Sequence, residues 1–578
     1  MGDVTTDADA QVRASASWAM RVEPLAFARI PGLPSLFLDF LTDFQKVADF
    51  YRGGRLLLPF SESEGEALRE RARQVAARAF ERTTLCRVLR EQNARWGSDD
   101  ATFAAIRELA EPETVAIVTG QQAGLFTGPL FTLYKAWTAI AVARRVRACG
   151  IQAVPIFWIH SEDHDLAEVT GCGLLGRDGE WVELRYPTSA EEEGKPANAL
   201  LLDERIEAVR EALLRALPCS EFLPEIAALL RETYAPGVSL VEAFARTMAR
   251  LHAETGLILL DPSDERIKRL MVPVLSRAVL EWSHLSEALR AESARLRARG
   301  YRPQIHPKRG SAFLFLLEED RRRPLLWEDG RFVRRDGGSG FSAEELLEEL
   351  AETPTRFSPN VALRPIVQDA LLPTLVYVGG PSEIAYFAQL GPLYAALDLP
   401  QPQLCPRLSL TLVEPRPAEL LARYGLALTD LFAGVAAIRQ RLLERTLDDV
   451  RLFEDAHRAV ADAVEKLRPL LRDAEPTLER PLERTKETMR RQIETLRQHY
   501  LQARARRDEV LSRQAQRLVL ALAPQGMLQE RAMNAFSFLA RYGARLFRAI
   551  RDELEPDTRA HGVLFFSHSG EAGGPGAA

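Results

Sequence analysis

The residues best suited to chemistry are concentrated in one hexapeptide, His160-Ser161-Glu162-Asp163-His164-Asp165. Carboxylates and imidazoles this close repel one another unless they hold a cation, bind a cationic substrate group or transfer protons. We read the run as a site for a substrate amine served by one general base, with Glu162, Asp163, His164 and Asp165 as its candidates. His160 and His164 stand four apart, which also suits a metal, although the spacing is not HExxH and no metal is expected. A solvated acidic loop capping the following helix is the plainer alternative. A second segment runs Val118-Thr119-Gly120-Gln121-Gln122-Ala123-Gly124-Leu125-Phe126-Thr127-Gly128-Pro129-Leu130. Its glycines at 120, 124 and 128 allow close backbone approach, and a helix N-terminus beyond them offers free N–H groups to a phosphate or carboxylate. Thr119, Gln121 and Gln122 add polar groups; the segment is neither a Walker loop nor a GxGxxG fingerprint, and a tight packing turn is the alternative. Lys135, in the next helix, reads as a surface residue. A third segment, Tyr377-Val378-Gly379-Gly380-Pro381-Ser382-Glu383-Ile384-Ala385-Tyr386, offers Gly379, Gly380, Ser382, Glu383 and Tyr386. Ser382 and Glu383 equally satisfy helix capping. Arg364 and Arg407 flank it, and a guanidinium fork suits a small dicarboxylate. No GxSxG elbow is present and none of the five cysteines has a nucleophile context, so covalent catalysis has no support.

These loops need strands to place them. Short apolar runs at 115–118, 154–159, 257–260 and 374–378 alternate with helical patterns, the signature of a parallel sheet with crossover helices. Ligands of such sheets bind beyond the carboxyl ends of the strands, where the three segments fall. A hairpin at Arg177-Asp178-Gly179 and an antiparallel stretch with a turn at Asp329-Gly330 read as insertions. We divide the chain into core segments 1–170, 256–300 and 346–415, insertions 171–255 and 301–345, and a helical coiled coil 416–522. A C-terminal helix, 523–560, returns to the core, and 561–578 forms a flexible tail. The stripes Phe453, Ala456, Val460, Val464, Leu467 and Met489, Ile493, Leu496, Tyr500, Ala503 are separated by Pro476 and Pro481. They predict an antiparallel helical hairpin with the prolines at its tip, and a dimerisation role fits it.

Composition narrows the functional classes. With 75 Lys+Arg against 81 Asp+Glu, the net charge of −6 gives no positive field for nucleic acid or an anionic membrane, and neither partner is expected. Only Lys46, Lys135, Lys195, Lys268, Lys308, Lys466 and Lys486 of the basic residues are lysines, which draws attention to each. Five scattered cysteines without CxxC suggest a reducing compartment; with no signal peptide or apolar span in view, we expect a cytoplasmic protein.

Taken together, Thr119-Gly120-Gln121-Gln122-Ala123-Gly124-Leu125-Phe126-Thr127-Gly128-Pro129, Phe157-Trp158-Ile159 with Glu162-Asp163-His164-Asp165, and Gly379-Gly380-Pro381-Ser382-Glu383-Ile384-Ala385-Tyr386 resemble the cysteine-adding enzymes of bacillithiol biosynthesis. Leu528-Gln529-Glu530-Arg531 with Asn534 extends the likeness, which runs from about residue 20 to about residue 550. The resemblance implies a Rossmann-like core with connective-peptide insertions, a coiled coil that makes a homodimer, and an amide bond between L-cysteine and glucosaminyl-malate. His160 departs from the family pattern, which has a small residue there, and Leu166 replaces an aromatic. On this view Glu162, Asp163 or Asp165 suits the cysteine ammonium, and Arg364, Arg407 or the Gly120 loop suits the malate carboxylates. His164 would take the proton of the attacking amine. Condensing a free carboxylate with an amine is uphill in water, so an activated acyl donor is needed; ATP or ADP is a candidate, with the glycine loop around its phosphates. Two rivals are a metal-dependent hydrolase built on His160, Glu162 and His164, and a coiled-coil assembly protein with a non-catalytic core.

Overall fold

The apolar runs form strands because they are buried on both faces, which only a sheet sandwiched by helices provides. The computed structural model describes residues 18–306, 310–334, 340–446 and 450–568. Contacts divide the chain into a core unit, Val22–Thr411 with Glu530–Val563, and a helical unit built on Leu412–Gln529.

In the core unit, β1 (Val115–Gln121) turns into α1 (Phe131–Ala148) and returns as β2 (Ala153–Ile159). A single turn, α2 (Leu166–Val169), leads to the hairpin of β3 (Gly171–Leu175) and β4 (Trp181–Arg185), closed where Arg177-Asp178-Gly179 predicts it. Helices Arg205–Ala216, Leu223–Thr233 and Leu240–Leu251 precede β5 (Ile258–Leu260) and α3 (Glu265–Leu280). The chain then builds β6 (Ser311–Glu318), β7 (Arg321–Glu328), β8 (Arg331–Arg334) and β9 (Phe357–Pro359). It re-enters the core through α4 (Arg364–Leu371), β10 (Thr374–Gly379), α5 (Pro381–Phe387) and β11 (Gln403–Pro406).

The core sheet is parallel throughout, in the order β11-β10-β1-β2-β5. All four runs picked out by their apolar character are in it; the fifth strand, Gln403-Leu404-Cys405-Pro406, carries too short an apolar pattern to announce itself. Every residue of β1 and β2 except Gln121 is buried. Ala139, Val142, Ala143 and Val146 of α1 pack against Val115, Ile117, Ala153 and Val376 of the sheet. Each fully buried aliphatic of this kind contributes about 1.5–3 kcal/mol. The neighbours β1 and β10 send their connections in opposite directions, which makes their carboxyl ends the switch point of the sheet. The second sheet is antiparallel, in the order β9-β6-β7-β8.

The helical unit carries α6 (Val450–Glu465) and α7 (Glu479–Arg507). They pair antiparallel, with Phe453 and Tyr500 ring centroids 5.5 Å apart and Lys486 3.0 Å from Glu465. Pro476 opens the turn between them, and Pro481 lies in the first turn of α7, where a missing N–H costs little. No described helix is long and apolar enough to cross a membrane. Of the flexible tail expected at 561–578, His561–His568 is instead a largely buried strand, and 569–578 lie outside the described residues.

Candidate functional site

The loops after β1, β2 and β10 open onto one cavity of about 830 Å³ within the core unit. Gln121, Gln122, His160, Glu162, Asp163, His164, Gly380, Ser382, Glu383, Tyr386, Arg364 and Arg407 line it, and β6–β7 adds a wall that includes Phe315 and Arg322.

The acidic loop divides into three kinds of carboxylate. Glu162 is neutralised by Lys268 of α3, whose Nζ lies 2.5 Å from Oε1 and also donates to Phe357 O at 2.7 Å. Burial lowers the Lys268 pKa, an effect that Glu162 opposes. Asp163 is free of any Lys or Arg within 4 Å among the described residues; instead the Gln122 amide donates to its Oδ2 at 2.7 Å and to Glu168 Oε2 at 3.0 Å. Asp165 does not line the cavity: it is exposed and caps α2, accepting from Glu168 N at 3.2 Å. His164 sits 5.6 Å from the Phe315 ring, with Nδ1 3.4 Å from Arg322 Nη1. Burial and then Arg322 lower its pKa against Asp163 and Asp165, so it is neutral at pH 7. His160 is driven well below the usual imidazole range by burial, then by Arg364, Lys135 and Arg322, and its buried Nε2 has no partner among the described residues. No group of three or more His, Cys, Asp or Glu among the described residues is arranged to hold a metal, so His160, Glu162 and His164 are not assembled as a ligand set.

The glycine segment is built differently from the open cradle its sequence suggests. A Cβ on Gly120 would stand 2.6 Å from Trp158 O, and one on Gly124 would stand 2.8 Å from Gly128 Cα, so these glycines serve close packing. The N–H groups of Gly124, Thr127, Gly128 and Leu130 are all donated within the protein, to Gln122 O, Tyr234 Oη, Leu125 O and Met533 O. Asn534 closes the turn by donating to Phe126 O and Gly128 O, both at 2.8 Å. Thr119 spends its hydroxyl on Val378 O at 2.9 Å. Thr119, Gly120, Gly124 and Gly128 therefore do not line the cavity, whereas Gln121 and Gln122 do.

Lys135 overturns its surface reading. Its side chain is 3% exposed, and Nζ reaches Glu383 at 2.5 Å, Gly120 O at 2.7 Å and Gln121 Oε1 at 2.8 Å. Glu383 also accepts from Gly380 N at 2.8 Å and from Tyr377 Oη at 2.7 Å. It thus caps α5 and ties the β10 loop to the β1 loop. Gly379 is packed under Glu383 and does not reach the cavity. Arg364 has no carboxylate within 4 Å among the described residues; it donates to Gln368 Oε1 at 3.0 Å and to the Tyr377 and Tyr386 hydroxyls at 3.4 and 3.3 Å. Arg407 lines the cavity but is bound to the fully buried Glu530 at 2.6 Å, so its charge is already matched. Lys268 and Arg322 were not singled out from the sequence, although the scarcity of lysine pointed to Lys135 and Lys268.

A doubly wound core with a charged, small-molecule-sized cavity at its switch point defines a Rossmann-like protein with a ligand site at the usual edge of the sheet. Two family profiles match: "Bacillithiol biosynthesis BshC, N-terminal Rossmann-like domain" over residues 20–408, and "Bacillithiol biosynthesis BshC, C-terminal coiled-coil domain" over 410–566. The chain belongs to the BshC family. Similar proteins named "Putative cysteine ligase BshC" occur in Salinibacter ruber (37% identity, covering 93% of this chain and 97% of the relative), Chlorobaculum tepidum (35%, 91% and 93%) and Koribacter versatilis (34%, 91% and 97%). The coiled-coil profile runs on to residue 566, whereas contacts in the structure give 530–563 to the core unit.

Proposed function

We propose that this chain joins the carboxyl group of L-cysteine to the amine of glucosaminyl-malate, the cysteine-adding step of bacillithiol biosynthesis. The names of its relatives support this reading. The observation that carries it is the division of charge in the cavity. Among the described residues, Asp163 and Glu168, bridged by Gln122, form an anionic corner with no Lys or Arg within 4 Å, and Arg364 forms a cationic one with no carboxylate within 4 Å. A zwitterionic amino acid and a dicarboxylate need these two corners, and a volume of about 830 Å³ is adequate for both substrates. In this reading Asp163 and Glu168 hold the cysteine ammonium, and Arg364 with the Tyr386 and Ser382 hydroxyls holds malate. Glu162 and His164 stand beside the reacting groups. Arg407 adds positive potential without a free fork. Insertion 301–345 would act as a wall of the site, and a second copy would join through the helical unit, where Leu452, Leu467, Leu470, Met489 and Leu496 are exposed. Light scattering tests the dimer: a monomer at micromolar concentration refutes it.

The assay is purified protein with L-cysteine and glucosaminyl-malate, with and without ATP, followed by mass spectrometry. Product formation that falls in D163A, H164A and R364A supports the reading. Unchanged product in all three variants overturns the site, and absence of product under every condition, including extract from a bacillithiol-producing cell, overturns the function.

A further inference from the structure

Arg322 enters the cavity from the second sheet and is fixed there by bonds that do not involve the acidic loop. Its Nε donates to Ser358 Oγ at 2.8 Å, its Nη2 donates to Pro359 O at 2.8 Å, and its Cζ lies over the Phe315 ring, 3.9 Å from the centroid. Nη1 then points at His164 Nδ1, 3.4 Å away. A guanidinium has five N–H donors and no acceptor, and it stays protonated at any physiological pH. Nδ1 must therefore be the acceptor and carry the lone pair, since an Nδ1–H would meet the guanidinium N–H head on. The proton of the neutral ring belongs on Nε2, which has no hydrogen-bond partner among the described residues. Competition comes from the same loop: Asp163 Oδ1, 3.8 Å from Nδ1, would prefer an Nδ1–H. That separation is beyond hydrogen-bonding range, while the Arg322 contact, at 3.4 Å, is at its outer edge. Asp163 Oδ2 is in addition engaged by Gln122. Burial first, and then the Arg322 charge, lower the His164 pKa against Asp163 and Asp165, which favours the neutral ring.

We infer that Arg322 is a positioning residue that locks His164 as the Nε2–H tautomer, so that His164 meets substrate as a hydrogen-bond donor to a carboxylate or acyl oxygen and not as the base that removes the amine proton. The lone pair a base would use is turned toward Arg322, and the proton is what faces the ligand. A neutral imidazole that donates can stabilise charge developing on an oxygen without first being protonated. This deepens the ligase reading and rests on it for the identity of the oxygen; the tautomer is a property of the free protein.

Two measurements test it. In the full-length protein carrying ¹⁵N-histidine, the His164 signals, identified by their loss in H164Q, should show protonated Nε2 and unprotonated Nδ1 at pH 8. In R322M they should move toward a mixture with the Nδ1–H form. A wild-type spectrum dominated by Nδ1–H overturns the proposal, and this result needs no variant at position 322. In the cysteine-addition assay, a glutamine amide can replace an Nε2–H but not a base. H164Q should retain turnover within about tenfold of wild type, while H164A loses at least a hundredfold. Equal loss in both overturns the donor role. If wild-type protein forms no product at all, the ligase reading fails, and the tautomer is still decided by the spectrum.

Discussion

Two neighbouring loops at the carboxyl edge of the sheet look equally functional in the sequence and turn out to be opposites. The glycine loop between β1 and α1 is sealed: the N–H groups of Gly124, Thr127, Gly128 and Leu130 are spent, Gly124 packs against Gly128, and Asn534 closes it. The acidic loop after β2 is left open, with no Lys or Arg within 4 Å of Asp163 or Glu168 among the described residues and His164 half-exposed. Glycine at a strand-to-helix turn permits close approach, but the approaching group can be a ligand or the protein itself. Only the fate of the backbone donors distinguishes the two.

If this contrast is right, changes that open the glycine turn should cost stability and leave affinity alone, and changes at the cavity-lining residues of the acidic loop should do the reverse. The largest effect is expected for K135M. It strands the Glu383 carboxylate in the interior, and removing one partner of a buried pair costs about 3–5 kcal/mol, read as a fall in the urea midpoint. N534A removes the donors from Phe126 O and Gly128 O and should cost about 2 kcal/mol. A rise in the KM for either substrate in N534A protein of otherwise unchanged turnover would break the contrast. D163N should raise the KM for cysteine about tenfold, about 1.4 kcal/mol, while the unfolding midpoint stays put. The smallest effect belongs to D165A, which removes an exposed cap from a single turn of helix. About 1 kcal/mol of stability should be lost, with steady-state constants unchanged. A D165A enzyme with impaired cysteine binding would return Asp165 to the site.

The legibility of this molecule follows the range of its interactions. Runs such as Ala153–Ile159 announce buried parallel strands because both faces must be apolar, and the strand ends then locate the loops. The acidic hexapeptide is legible because its chemistry lies within six residues. Lys135 was misread because helical position alone does not reveal that α1 carries it beneath the sheet edge to Glu383, 248 residues later in the chain. Arg407 looked available because its partner, Glu530, is 123 residues away. Arg322 is one of three consecutive arginines in a chain where arginine is abundant, and the sequence alone could not say which would face the cavity. The buried Nε2 of His160, without a partner among the described residues, becomes visible only when Gly120, Lys135 and Arg364 are placed around it.

The core unit is interrupted in the chain by residues 412–529 and resumes at Glu530. The resumed piece brings Glu530 to Arg407 and Asn534 to the glycine loop. On the ribosome, then, a nascent chain that has already emitted all five strands of the sheet must still wait for the whole helical unit to be synthesised. Until that point the Arg407 charge is unmatched and the turn after β1 lacks its clasp. Translation order therefore makes completion of the core unit a late event, since it waits for residues 412–529 to be made.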